Sequence, residues 1–257
     1  QHSSMVSRQA SFDMRGQVVA VTGGATGIGR AICQAFVQAH AAAVYNLDIA
    51  DGSLEGVTWI KCDVSKVAEV KAAVAQVLAD NSDKLDIFVA NAGIWTCGDF
   101  EQITEEEFDR VVGINMKGAF FALQAALPPL RASGGCAVVM GSDQCFVGKV
   151  EQNLYGMTKG ALGQLVKSLA AQYAPLGVRI NAVCPGTIDT PLMHNAVAKI
   201  SAEKGIDSKG IYERINTAQP MPRVGQPEEV AQLVLAVCCN GFMAGALVSI
   251  DGGYTCV

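Results

Sequence analysis

An apolar run that opens directly into a glycine-rich turn constrains the fold more than any other stretch of this chain. Gln17 to Thr22 is rich in β-branched residues, the turn Gly23-Gly24-Ala25-Thr26-Gly27-Ile28-Gly29 follows at once, and a helical pattern then runs through Ala39. Glycines in a strand-to-helix turn let backbone N–H groups approach a pyrophosphate at the positive end of the helix dipole. The spacing therefore predicts a dinucleotide-binding turn, the alternative being a tight turn without a ligand.

The same alternation of apolar runs and helical segments continues along the 257 residues. Further strands are predicted at residues 41–47, 57–62, 85–90, 136–140, 178–184 and 246–250. Helical segments between the strands imply repeated βαβ units, a parallel sheet and right-handed crossovers. We therefore expect an α/β fold with one Rossmann-type, doubly wound parallel sheet of about seven strands and helices on both faces. A single domain is expected over residues 15–257.

Three stretches outside the strands carry further expectations. Gln1-His2-Ser3-Ser4 before Met5 reads as a tag remnant, so residues 1–14 are expected to form a disordered arm. Ser65 and the capping box Thr104-Glu105-Glu106-Glu107 are expected to start helices, the second of which runs towards Pro128-Pro129. Residues 187–220 show no sheet pattern, and we expect a substrate loop that closes over a site.

Acidic residues follow two of the predicted strands, where an adenosine would bind. Asp48 ends the second strand, 19 residues after Gly29. A carboxylate there accepts hydrogen bonds from both ribose hydroxyls and repels a 2′-phosphate. Neither Thr26 nor Ile49 supplies a cation for such a phosphate, so the sequence favours NAD over NADP, although a turn or helix-capping role for Asp48 is the alternative. Asp63 follows the third strand, where its side chain can meet the adenine amino group.

Tyr155 and Lys159 form the candidate catalytic pair. Four residues apart on a helix, they share one face, so an ammonium can lie close to a phenol and favour the phenolate. Ser142 follows the apolar run from Cys136 to Met140 and would lie at the carboxyl end of a buried strand, where open α/β sheets bind ligands. Asn115 stands out because asparagine is a poor helix former. The alternatives are a solvated lysine beside a half-buried tyrosine, and a surface asparagine.

Composition argues against several classes of protein. The net charge of -5, without a run of lysines and arginines, argues against a nucleic-acid partner. No window holds eighteen uninterrupted apolar residues, so no membrane span is indicated. The 9 cysteines are odd in number and form no CxxC motif; several, such as Cys33, Cys136, Cys184 and Cys238, lie in apolar segments and read as small buried hydrophobes in a reducing cytoplasm. With only 3 histidines, a His-based metal site is not expected.

Together these motifs resemble those of the short-chain dehydrogenases/reductases, a family with one Rossmann-type domain of about this length. The resemblance runs from Arg15 to the C terminus. It rests on Thr22-Gly23-xxx-Gly27-Ile28-Gly29, Asp63, Asn91-Ala92-Gly93, Asn115, Ser142, Tyr155-xxx-Lys159, Pro185-Gly186 with residues 187–190, and Asp251-Gly252-Gly253.

The resemblance implies a role for each catalytic residue. Tyr155 would be the general acid/base, and Ser142 would polarise the carbonyl or alcohol oxygen. Lys159 would lower the pKa of the tyrosine and bind the nicotinamide ribose, while Asn115 would hold a water in a proton relay that reaches Lys159. NAD is the expected cofactor, and the residues expected to bind it are Thr22, Gly23, Thr26, Gly27, Ile28, Gly29, Asp48, Ile49, Cys62, Asp63, Val64, Asn91, Ala92, Gly93, Tyr155, Lys159, Pro185, Gly186, Thr187, Ile188 and Thr190. Family members are usually homotetramers, so a cytoplasmic homo-oligomer is expected.

The implied reaction is NAD-dependent hydride transfer between a secondary alcohol and a ketone. Polar residues in the loops suggest a small polar substrate such as a sugar, polyol or hydroxy acid. The candidate substrate residues are Trp95, Gln144, Gln152 and His194. One alternative is a 3-oxoacyl-[acyl-carrier-protein] reductase, which usually takes NADPH and presents a basic docking patch. Another is a non-catalytic NAD-binding scaffold, which would be expected to lack a catalytic residue.

Overall fold

Short, mostly β-branched runs build the centre of the fold. Over residues 12–256, which the computed structural model describes, seven such strands form one parallel sheet. In chain order they are β1 (Val18–Thr22), β2 (Ala43–Asp48), β3 (Thr58–Lys61), β4 (Ile87–Ala90), β5 (Cys136–Met140), β6 (Arg179–Pro185) and β7 (Leu247–Ile250). The predicted parallel sheet of about seven strands is confirmed.

The order of the strands reverses beside β1. Across the sheet the order is β3-β2-β1-β4-β5-β6-β7, so β2 and β3 lie on one side of β1 and the remaining strands on the other. Loops that leave the carboxyl ends of β1 and β4 therefore diverge and open a crevice between them. The glycine turn after Thr22 and the Asn91-Ala92-Gly93 segment after Ala90 both begin at this crevice.

Eight α-helices in the described part of the chain cover both faces of the sheet. They are α1 (Gly27–Gln38), α2 (Val67–Asp80), α3 (Glu105–Val112), α4 (Ala119–Ser133), α5 (Asn153–Tyr173), α6 (Pro191–Lys204), α7 (Ser208–Thr217) and α8 (Pro227–Cys239). One core contains Val74, Leu123 and Val166 from α2, α4 and α5. The other contains Phe36 from α1 and Val234 from α8. This arrangement confirms the predicted doubly wound architecture.

The N-terminal boundary lies earlier than the sequence predicts. Met14 is buried, and its backbone N–H donates to the carbonyl oxygen of Ala39 at 2.7 Å. The packed structure therefore includes Met14, which the sequence assigns to a disordered arm ending before Arg15. The predicted tag remnant at residues 1–4 lies outside the described residues.

The two predicted helix starts differ in outcome. Thr104 caps α3, because its hydroxyl oxygen accepts from the backbone N–H of Glu107 at 3.2 Å. The carboxylate of Glu107 accepts instead from the hydroxyl of Thr96. The prediction that Ser65 caps α2 is wrong, since its hydroxyl donates to Asp63 and α2 begins without a side-chain cap.

The helix predicted to run through Asn115 changes its winding there. Residues 113–118 form a π-helical turn between α3 and α4, a feature found most often at functional sites. The helix then continues through Pro128-Pro129, beyond the predicted end. Burial of the neighbouring Leu127 and Leu130 holds this face against the core although prolines cannot donate backbone hydrogen bonds.

One continuous helical stretch, Glu105–Ser133, is long and apolar enough to cross a membrane by length and composition alone. Several of its apolar residues, including Ala122, Leu123, Ala126 and Leu130, belong to the core on one face of the sheet. Packing against the sheet accounts for the apolar character of this stretch.

The segment predicted as a loop at residues 187–220 is largely helical. It contains α6 and α7, and Thr190 caps α6 by accepting from the backbone N–H of Met193 at 3.3 Å. Pro191 follows at the first helical position, where a missing N–H costs nothing. Ile188 is buried and pairs with Gly225, which ties the start of the segment to the sheet region.

Candidate active site

The glycine turn after β1 has no room for side chains at two positions. Gly23 has a φ of +68°, and a Cβ there would lie 2.8 Å from Ala92 Cα. A Cβ on Gly29 would lie 2.0 Å from the carbonyl oxygen of Gly23. The turn therefore packs backbone against backbone, which only glycine allows at these two positions.

Asn91 joins the carboxyl ends of β1 and β4. Its side-chain amide donates to the carbonyl oxygens of Thr22 and Gly23, both at 3.0 Å. The hydroxyl oxygen of Thr22 accepts in return from the backbone N–H groups of Asn91, at 3.0 Å, and Ala92, at 3.1 Å. These bonds fix the two walls of the crevice relative to each other.

Asp48 lies at the end of β2 with its carboxylate turned to the glycine turn. Oδ2 accepts from the backbone N–H of Ala25 at 3.0 Å, and Oδ1 accepts from that of Ala50 at 3.1 Å. Ile49 beside it is exposed. A cation that sequence reasoning missed lies nearby: Arg30 donates to the carbonyl oxygen of Gly52 at 2.5 Å. Its position directly after Gly29 could have signalled it.

Asp63 and its neighbours lie at the carboxyl end of β3. The Asp63 carboxylate accepts from the hydroxyl of Ser65 at 2.7 Å, and this bond holds the pKa of Asp63 below its ordinary value. Cys62 and Val64 are buried on either side of it. Burial raises the pKa of the Cys62 thiol to about 11. Contact of these three residues with an adenine stays a prediction.

The segment after β6 borders the glycine turn. Pro185 ends β6, and the N–H of Gly186 donates to Ile250 at 3.0 Å, while the carbonyl oxygen of Thr187 accepts from Gly225. A Cβ on Gly27 would lie 3.3 Å from Thr190 Cγ2, so Thr190 stands directly over the turn. Contact of Thr190 with a pyrophosphate stays a prediction.

Tyr155 and Lys159 share one face of α5, as their spacing predicts. The Lys159 ammonium lies 5.6 Å from the centroid of the Tyr155 ring and donates to the carbonyl oxygen of Met140 at 2.8 Å. Burial lowers the pKa of Lys159 to about 8. Burial also raises the pKa of Tyr155 above its ordinary value, opposite to the direction that the resemblance implies.

Ser142 follows β5 and faces the tyrosine. Its hydroxyl donates to Asp143 Oδ1 at 2.9 Å and accepts from the backbone N–H of Gln144 at 3.2 Å. An interaction with the Ser142 side chain acts against burial and lowers the pKa of Tyr155. Sequence reasoning missed Asp143, which is buried and directly follows the predicted serine. A carboxylate inside an apolar strand end is the signal that could have found it.

Asn115 projects from the π-helical turn into the same region. Its amide nitrogen donates to Ile94 at 2.9 Å and to Thr158 at 3.1 Å, and its oxygen accepts from the N–H of Ile94 at 2.9 Å. A Cβ on Gly93 would lie 3.3 Å from Asn115 Oδ1 and 3.7 Å from Lys159 Nζ. Asn115 and Lys159 therefore approach one glycine from two sides, and the proposed water relay between them stays a prediction.

Three of the four candidate substrate residues form one hydrogen-bonded chain. Gln152 Oε1 accepts from Trp95 Nε1 at 3.1 Å and from Gln144 Nε2 at 2.6 Å. Because an indole only donates, it fixes which end of the Gln152 amide is oxygen, and this fixes the Gln144 amide in turn. Gln144 Oε1 is then a buried acceptor without a hydrogen-bond partner among the residues that the structure describes.

His194, the fourth candidate, has different partners on the helical segment. Its Nδ1 lies 2.7 Å from the hydroxyl of Tyr212, and its Nε2 lies 2.9 Å from Asp189 Oδ1. These contacts join the start of α6 to α7. A separate contact, between Lys204 and Glu151, joins the end of α6 to the loop before α5.

Comparison with known proteins places the chain among oxidoreductases. Residues 23–255 match the family model described as enoyl-(acyl carrier protein) reductase. The L-rhamnose-1-dehydrogenase of Scheffersomyces stipitis is 31% identical, with 93% of this chain and 96% of that protein covered.

Solved structures resemble both the sequence and the fold. Ligand-free aldohexose dehydrogenase from Thermoplasma acidophilum superposes with a TM-score of 0.89 at 34% identity, covering 96% of this chain and 97% of that one. A short chain dehydrogenase family protein from Francisella tularensis gives a TM-score of 0.86 at 33% identity, covering 94% and 99%.

Proposed function

The chain belongs to the short-chain dehydrogenase/reductase family, and we propose that it is an NAD-dependent oxidoreductase that interconverts a secondary alcohol and a ketone. The substrate class proposed is a small polar molecule: a sugar, polyol or hydroxy acid. The convergence of Ser142, Tyr155 and Lys159 at the carboxyl end of β5, beside the crevice, carries this proposal. Asn115 completes the set from the neighbouring π-helical turn.

The residues around the crevice fit a dinucleotide. Gly23 and Gly29 add no side chains to the turn that precedes and opens α1, and Thr190 stands over Gly27. Asp48 ends β2 at the distance along the chain expected of a ribose-binding carboxylate. When bound, NAD would supply a nicotinamide carbon that accepts or donates a hydride.

The chain's own residues would handle the proton. In alcohol oxidation, Tyr155 takes the proton of the substrate hydroxyl, and in ketone reduction it returns it. Ser142 donates a hydrogen bond to the reacting oxygen. Lys159, held by Met140, supplies a positive charge that favours the phenolate and binds the nicotinamide ribose.

Asp48 supports NAD over NADP. A 2′-phosphate would meet its carboxylate, which is already fixed by two backbone N–H groups and cannot turn away without losing them. Arg30 is the nearby cation, but its guanidinium is engaged by the carbonyl oxygen of Gly52. The fixed carboxylate of Asp48 and the engaged guanidinium of Arg30 together favour a ribose with free hydroxyls.

The substrate class is supported by the polar groups near Tyr155 and by the relatives. Gln144 and Gln152 place amides next to α5, which suits a substrate with several hydroxyls. An aldohexose dehydrogenase and a rhamnose dehydrogenase are among the similar proteins.

A cytoplasmic homotetramer without membrane or nucleic-acid partners completes the proposal.

A panel assay tests this function. Purified protein is incubated with NAD or NADP and a set of sugars, polyols and hydroxy acids, and reduced cofactor is followed by absorbance. Turnover with NAD is expected for at least one, and Tyr155→Phe should lose at least about a thousandfold in kcat while binding NAD normally. Activity confined to 3-oxoacyl thioesters would favour the 3-oxoacyl-[acyl-carrier-protein] reductase. Tight NAD binding without any turnover would favour the scaffold.

A further inference from the structure

A buried carboxylate stands directly beside the reactive serine. Asp143 is 2% exposed, and its Oδ1 accepts the hydrogen bond from Ser142 at 2.9 Å. A hydroxyl has one proton to donate, so Ser142 cannot donate to Asp143 and to a substrate oxygen at the same time. Asp143 therefore holds the Ser142 hydroxyl until a reacting oxygen takes its place as the acceptor.

Lys149 pairs with this carboxylate from the loop before α5. Its ammonium lies 2.6 Å from Asp143 Oδ2 and 4.3 Å from the centroid of the Tyr254 ring. The lysine side chain is only 18% exposed, so both charges are largely removed from water. Such a carboxylate needs a close partner, and the aromatic face gives the ammonium a second one.

We propose that Asp143 and Lys149 are positioning residues for the reaction at Tyr155. The carboxylate orients the Ser142 hydroxyl, and the ammonium offsets part of the negative charge that opposes ionisation of the tyrosine. This inference rests on the function proposed above, since it assigns the pair a part in that same proton transfer.

The charged groups around Tyr155 determine whether loss of Asp143 or Lys149 raises or lowers its pKa. Burial is the main cause that raises the pKa of Tyr155, and the negative charge of Asp143 raises it further, as does Cys145 from the same turn. Lys159 faces the tyrosine from α5, and Cys184 of β6 faces Lys159. Without Lys149, the unpaired carboxylate of Asp143 should raise the pKa of Tyr155. Without Asp143, the unpaired ammonium of Lys149 should lower it.

The test uses Asp143→Asn, Lys149→Gln and the double variant in NAD-saturated protein. Tyrosine labelled with ¹³C at Cζ is titrated by NMR, and the Tyr155 resonance is identified by its loss in Tyr155→Phe. Relative to the wild type, the midpoint should fall by roughly one pH unit in Asp143→Asn and rise by roughly one in Lys149→Gln. The double variant has two neutral side chains, and the charges of the wild-type pair also sum to zero. Its titration curve should therefore lie close to that of the wild type.

Kinetics provides the second measurement. With an active alcohol, the pH profile of kcat/KM for oxidation should move in the same directions as the NMR midpoints. Superimposable titration curves for the four proteins would overturn the proposal, as would lost activity with an unmoved pH profile, which is the signature of a purely structural role. Because the NMR titration needs no turnover, failure to find an alcohol substrate would count against the proposed function alone. If Lys149→Gln does not fold, Asp143→Asn carries the test, with Lys149→Arg expected to keep the wild-type curve.

Discussion

The ammonium of Lys159 donates to the carbonyl oxygen of Met140 at 2.8 Å, and this bond joins α5 to the last residue of β5. Two residues further on, the same strand end delivers Ser142 to the site. The lysine thus fixes the helix that carries Tyr155 against the strand end that carries the serine. Its position costs stability, because the ammonium is buried and this burial lowers the pKa of Lys159 to about 8.

Replacement of Lys159 by methionine should therefore abolish activity while raising stability. Burial lowers the pKa of Lys159 to about 8 from 10.5, so the folded state disfavours its charge by roughly 3 kcal/mol at neutral pH. Loss of the donor to Met140 costs about 1–2 kcal/mol in return. The expected net gain for Lys159→Met at pH 7 is about 1–2 kcal/mol in the free energy of unfolding, measured by urea denaturation.

The pH dependence of that difference provides the control. Between pH 8 and 10.5 the unfolded lysine keeps its proton while the folded one releases it, so the wild-type protein gains stability as the pH rises. The advantage of Lys159→Met should be fully present below pH 8 and should shrink towards pH 10. A difference that stays constant over this range would contradict the burial argument.

Asp48 should decide the choice of cofactor. Asp48→Ala removes the acceptor for the ribose hydroxyls, and we expect about tenfold to a hundredfold weaker NAD binding by calorimetry. Asp48→Asn keeps an acceptor and removes the charge, so it should lose less affinity for NAD and gain affinity for NADP. Asp51→Ala, in the loop just after β2, is the matched control and should change neither. Unchanged exclusion of NADP by Asp48→Asn would reject the electrostatic account.

Local patterns were enough to predict the sheet and the glycine turn at its carboxyl edge. The run before Gly23 is apolar because β1 is buried on both faces, and the glycines are fixed by backbone contacts such as that between Gly23 and Ala92. The spacing of Tyr155 and Lys159 likewise needs only helical geometry. These features are encoded within a few residues of each other, so they can be read without tertiary structure.

Features that depend on burial were missed. The pKa of Tyr155 is raised because packing removes water from the phenol, which no neighbour in sequence reveals. The pairing of Asp143 with Lys149 depends on the path of the loop between β5 and α5, and the contact of Arg30 with Gly52 joins α1 to the loop after β2. Helices α6 and α7 were read as a loop because their mixed charge hides the few apolar contacts, such as Ile211, that hold them.

The contact between Glu151 and Lys204 should hold α6 over the site. Both side chains are about two-fifths exposed, so the ion pair should contribute less than about 1 kcal/mol to global stability. Glu151→Gln is therefore expected to leave the melting temperature nearly unchanged. It should speed amide hydrogen exchange in α6 and raise KM several-fold, because the segment opens more readily. Glu213→Gln on α7 is the control, and equal exchange rates in both variants would contradict the assignment.

Gly156 should be the position on α5 least tolerant of a methyl group. A Cβ there would lie 2.6 Å from Gln144 Oε1, whereas a Cβ on Gly160, one turn further along the same helix, would meet nothing within 4 Å. Alanine favours a helix over glycine by about 0.5–1 kcal/mol, so Gly160→Ala should stabilise the protein by that amount. Gly156→Ala should instead destabilise it by about 1–2 kcal/mol, because the glutamine is held by Gln152 and cannot retreat freely.

The double variant Gly156→Ala/Gln144→Ala separates this clash from a general intolerance of the helix. Truncation of the glutamine removes the colliding oxygen, so the cost of Gly156→Ala should largely disappear in that background. Because Trp95 and Gln152 position the glutamine, Gly156→Ala should also raise KM for a polyhydroxylated substrate more than it lowers kcat. Thermal melts and steady-state kinetics of Gly156→Ala, Gln144→Ala and the double variant measure both effects. Additive losses in the double variant would show that Gln144 is not what excludes a side chain at Gly156.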